Sequence, residues 1–112
     1  MKTKLILAAA LISLILPVAA QSSTEHQAYE VALSQIRLPR NTNGTIAFKE
    51  CSDCEYKTRR VSAQTSFLLD GRAVRLEKFR NAMENVTDRA NKPVTILYHL
   101  KENRVTSVSV YL

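Results

Sequence analysis

Cys51 and Cys54 are the only cysteines of the chain, and their C-x-x-C spacing admits three kinds of chemistry. A disulfide would close a very small loop around Ser52 and Asp53, two residues suited to a turn. Thiol exchange would need one cysteine at a helix N-terminus, where the partial positive charge lowers a thiol pKa. The following run, Glu55 to Val61, has strand formers and no apolar helical face, and Glu50, Asp53 and Glu55 surround the pair with negative charge. A closed zinc site would need four ligands, and only His26 and His99, far off in sequence, could join the thiolates. The disulfide reading therefore leads, at the neck of a tight hairpin. Thiol redox or metal handling is the alternative, and no cofactor or bound metal is expected.

Basic residues are the other candidates. Lys57, Arg59 and Arg60 follow the cysteines on a strand-like run, with Tyr56 beside them. Cations interleaved with an aromatic can hold a polyanion by phosphate contacts and base stacking. Arg72, Arg75, Lys78 and Arg80 form a second cluster around the start of a helix. Both clusters equally suit solvated faces of a mildly basic protein. Serines are plentiful, but no serine motif accompanies the two histidines, and no spaced carboxylate pair stands out. The expectation is a non-catalytic domain. Asn43-Gly44-Thr45 and Asn85-Val86-Thr87 match the glycosylation sequon, but both read as fortuitous.

The compartment is written at the start of the chain. Met1 to Lys4 is a basic n-region, Leu5 to Leu16 an apolar run, and Pro17-Val18-Ala19-Ala20 a helix break followed by small residues. This is the pattern of a secretory signal peptide cleaved after Ala20, and the run is shorter than the roughly 20 residues of a membrane span. Of the 112 residues, 92 then remain from Gln21, as one small domain. Lys2 and Lys4 leave with the leader, so the net charge falls from +6 to +4. The domain is thus expected in the periplasm or secreted, where disulfides persist. A partner protein or envelope component is expected, with no membrane span in the mature chain, and nucleic acid is not.

The elements that must position these residues follow from apolar spacing. Ser22-Ser23-Thr24-Glu25 has the spacing of a capping box, and Tyr29, Ala32, Leu33 and Ile36 recur as one helical face. A first helix is predicted from Ser23 to Ile36, ending before Pro39. From Thr45 the period is two, with Ile46 and Phe48 on one face, and strands are predicted again over Tyr56–Ala63 and Thr65–Leu69. Asp70-Gly71 suits a two-residue turn of positive φ. Leu76, Phe79, Met83 and Val86 predict a second helix from Leu76 to Val86. Val94, Ile96, Tyr98 and Leu100, then Val108, Val110 and Leu112, predict a final hairpin turning at Glu102-Asn103.

The predicted fold is α+β: an N-terminal helix, then a curved antiparallel sheet of about five strands, with one helix before the C-terminal hairpin. A small OB- or SH3-like partial barrel fits the same pattern. Thr65-x-Phe67-x-x-Asp70-Gly71, followed by helix and hairpin, resembles small barrel domains of exported bacterial proteins only in common residue types, and identifies no family.

Overall fold

In a computed structural model, residues 25–112 are described; the expected leader, its cleavage site and most of the capping box lie outside them. The first element is a correction. His26–Ala32 is a strand, β1, followed by a 3-10 turn at Leu33–Gln35 and a two-residue strand, β2, at Ile36–Arg37. Tyr29, Leu33 and Ile36 are buried as a helical face would require, but so is Val31, which a helix would have turned to solvent. Tyr29, Val31 and Leu33 also read with a period of two, and Ile36 joins them in the core only after the 3-10 turn shifts the phase. Tyr and Val favour strands, and β7 (Pro93–His99) supplies a partner along the whole length of β1, from His26↔His99 to Ala32↔Pro93. Tertiary pairing decides an ambiguous period.

The remaining elements are β3 (Thr45–Phe48), β4 (Lys57–Arg60), β5 (Ser66–Leu69), β6 (Arg72–Val74), helix α1 (Leu76–Glu84), a 3-10 turn at Arg89–Asn91, and β8 (Arg104–Val110). They form two open sheets, one ordered β1-β7-β8-β5-β6 and the other β2-β3-β4. The α+β content stands, but the single antiparallel sheet and the partial barrel do not. The larger sheet is mixed, because β5 and β8 run parallel, from Ser66↔Ser107 to Leu69↔Val110. The chain leaves β5 through β6, crosses over as α1 and returns through the β7–β8 hairpin, so β8 arrives beside β5 in the same direction.

One face of the large sheet is the floor of the core. Tyr29, Val31, Phe67, Val94, Ile96, Val105, Val108 and Val110 point there. Leu76, Phe79 and Met83 of α1 and Ile36, Ile46 and Phe48 of the small sheet complete it. Two aromatic contacts stitch the layers: Tyr29 on Phe48 at 4.8 Å and Phe67 on Phe79 at 5.4 Å between ring centroids. Such pairs contribute about 0.5–1.5 kcal/mol beyond the area they bury.

Two turns match their sequence signals. Asp70 (φ 51°) and Gly71 (φ 86°) join β5 to β6 in the primed geometry that their residue types suit, and Asn103 (φ 54°) turns β7 into β8. The hairpin departs from strict alternation. Leu97 pairs with Ser107 but Tyr98 pairs with Val105, leaving Thr106 as an extra residue on β8. The Thr106 Oγ1 donates to the Leu97 carbonyl at 3.2 Å. This bulge lets Val105 and Val108, three apart, both reach the core. Leu100 and Leu112, expected on the buried face, are 43% and 56% exposed because they lie beyond the ends of β7 and β8.

Candidate functional site: a cystine turn and two basic regions

Cys51 and Cys54 form a disulfide with Cα atoms 5.1 Å apart. The Cys54 N–H donates to the Cys51 carbonyl at 3.1 Å, so the bond closes the two ends of one β-turn. The β3–β4 ladder ends at Phe48↔Lys57. The cystine therefore sits beyond it, at the tip of a connection from Lys49 to Tyr56, rather than at a hairpin neck. Lys49 Nζ donates to the Ser52 carbonyl at 3.2 Å, and Lys57 forms an ion pair with Glu50 at the base of the connection. No helix begins at either cysteine.

The two histidines meet each other rather than the cysteines. His26 and His99 are cross-strand partners with ring centroids 4.7 Å apart. His99 Nδ1 accepts the Glu102 N–H at 3.1 Å, and its Nε2 lies 3.7 Å from the Glu25 carboxylate. Among the described residues no three or more His, Cys, Asp or Glu side chains are gathered to hold a metal ion.

On β4 the strand's alternation divides the predicted basic site. Lys57 and Arg59 pair with Phe48 and Ile46 and share their inward face, while Arg60 points outward. The Lys57 ammonium lies 5.3 Å from the Tyr29 ring centre. Arg59 is half-buried, 5.0 Å from the Tyr98 ring centre and 5.7 Å from that of Tyr29. It donates to the Tyr29 hydroxyl at 3.1 Å and to the Thr58 carbonyl at 2.9 Å, while its Nε is buried without a partner among the described residues. Tyr56 carries the Arg37 guanidinium 4.2 Å from its ring centre and the Lys49 ammonium at 5.1 Å. Three of the four residues thus have partners within the chain. Arg60 is exposed, and its side chain has no hydrogen bond or ion pair among the described residues.

The second basic cluster is arranged differently. Two adjoining concavities, of about 610 and 750 Å³, lie at the junction of β6 with α1 and share Val74, Arg75, Glu77 and Asn81. Together they form a groove lined by Arg40, Arg75, Lys78 and Arg80, with Glu77 as its one carboxylate among the described residues. Arg72 lies two residues before Val74 on the same face of β6. None of these five cations makes an ion pair among the described residues. Arg80 Nη1 donates to the Pro39 carbonyl at 2.6 Å, which holds the Arg40–Thr42 wall against the helix. Asn41 shapes that wall by accepting the Asn43 N–H on Oδ1 at 3.0 Å and the Gly44 N–H on its carbonyl at 3.2 Å. The sequence marked Arg72, Arg75, Lys78 and Arg80 as a cluster but offered no way to place Arg40 with them.

An open groove with unpaired guanidinium and ammonium groups can accept carboxylates or phosphates, and Arg can do so through two parallel hydrogen bonds. No helix of the described residues is long and apolar enough to cross a membrane. No protein-family model, curated protein or solved structure matches the chain.

Proposed function

We propose that the chain is exported through its Met1–Ala20 leader, matures at Gln21, and works in the periplasm or outside the cell as a small non-catalytic binding domain. The Cys51–Cys54 disulfide supports an oxidising compartment. Its ligand in this reading is an anionic partner, either a protein or an envelope component, held in the β6–α1 groove. One observation carries the anionic assignment: four cations line the groove against the single carboxylate of Glu77, and none is neutralised from within the described chain.

The test has two arms. Protein recovered from outside the cytoplasm should begin at Gln21 and carry the mass of one internal disulfide; an intact Met1 contradicts the export reading. Its affinity for an acidic polymer should fall steeply between about 0.05 and 0.2 M salt. Binding indifferent to salt contradicts the groove. The exposure of Cys51 at the turn tip favours thiol exchange as the second reading, and catalysed reduction of insulin disulfides would promote it.

A further inference from the structure

Beside the groove lies an unused sheet edge. Leu69 and Arg72 flank the two-residue Asp70-Gly71 turn, so they exchange the first hydrogen bonds of the β5–β6 hairpin. Ala73, opposite Leu68, occupies the next, non-bonded position, and its N–H and C=O point away from β5. The neighbouring strand agrees with this alternation, since the Asp70 N–H turns the other way and donates to the Val110 carbonyl at 3.0 Å. β6 is the last strand of its sheet among the described residues, and Ala73 is exposed. An outward backbone donor and acceptor are therefore set between Arg72 and Arg75, alongside the concavity that reaches Lys78.

We propose that β6 receives an extended acidic segment of a partner protein as an added strand, with backbone hydrogen bonds at Ala73 and carboxylates on Arg75, Lys78 and Arg40. This rests on the anionic-groove reading and names its ligand. Strand addition takes its affinity from main-chain bonds and its specificity from side-chain contacts. The charges choose the occupant. A second copy of β6 would place Arg72 and Arg75 against their own kind, the usual guard of an exposed edge, whereas a strand bearing Asp or Glu meets complementary charge. Single-stranded nucleic acid would need an exposed aromatic for base stacking, and the one aromatic lining the groove among the described residues, Phe67, is 3% exposed.

The experiment titrates a labelled alternating Glu-Val peptide into the whole mature chain with its cystine intact. Ala73→Pro removes only the outward N–H, at an edge position where proline is tolerated. It should weaken peptide binding about tenfold, while Arg75→Gln with Lys78→Gln should weaken it further. A peptide N-methylated at alternate residues should bind the unmodified protein as weakly, an arm that needs no folded variant. Full affinity in both the Ala73→Pro and N-methyl arms overturns strand addition. The groove reading then stands if the charge variant still loses binding, and falls with it if that variant binds fully. Tighter binding of oligothymidylate than of peptide overturns the proposal in favour of nucleic acid.

Discussion

The basic residues of β4 and those at the β6–α1 junction belong to the same chemical type but to opposite structural situations. On β4, Lys57 meets Glu50, Arg59 lies over Tyr29 and Tyr98, and Arg37 lies over the adjoining Tyr56. Arg59, with Lys57 near the Tyr29 ring, there reaches from the small sheet to the large one. At the junction, Arg40, Arg75 and Lys78 are exposed around a groove and have no carboxylate partner among the described residues. The cluster that the sequence offered as a polyanion site thus has partners for Lys57 and Arg59 and none for Arg60 among the described residues, whereas the second cluster has no carboxylate partner for Arg40, Arg75 or Lys78. The partner of each cation decides the matter, and a count of charges does not.

That contrast can be broken by substitution, and the largest expected effect falls on the groove. Arg75→Glu with Lys78→Glu replaces two attractions by repulsions. Anion affinity should drop on the order of a hundredfold in an isotherm, with the melting temperature little changed. The cystine turn offers the opposite profile. Cys51→Ser with Cys54→Ser should cost about 2 kcal/mol by the loop-closure relation, lowering the melting temperature by roughly 8–16 °C. Anion affinity should persist, because no residue of that connection lines the groove.

Smaller effects sharpen the comparison on β4 itself. Arg59→Ala removes two hydrogen bonds and the stacking on Tyr29 and Tyr98. It should destabilise the fold by about 1–2 kcal/mol in denaturant titration and leave anion binding unaltered. A loss of binding without a loss of stability would move the site to β4. Lys57→Ala should change stability by less than about 1 kcal/mol, since both members of the Lys57–Glu50 pair are 43% exposed.

What the sequence disclosed depended on whether a signal was local. Asp70-Gly71, the α1 face of Leu76, Phe79 and Met83, and the disulfide of a four-residue segment are properties of neighbouring residues, and each was legible. Tyr29 and Leu33 fitted a helix and a strand alike, and the pairing of β1 with the distant β7 settled the choice. Nothing near Leu69 announces its parallel partner Val110. The spacing of three between Val105 and Val108 already breaks the alternation in the sequence, and the pairing register assigns that break to a bulge at Thr106. The groove suffered the same loss, for Arg40 joins the junction through Arg80 and the Pro39 carbonyl, across 41 residues of chain.

The claim that the junction and not β4 holds the anion is met most directly by one paired titration. Arg75→Gln with Lys78→Gln, and separately Lys57→Gln with Arg60→Gln, remove equal charge from the two regions. Each is compared with the unaltered protein against the same acidic peptide at about 0.15 M salt, near the physiological screening length of about 8 Å. The account predicts that the junction variant loses most of the affinity while the β4 variant keeps it. Equal losses would mean that only net charge matters, and a loss confined to the β4 variant would contradict the account outright.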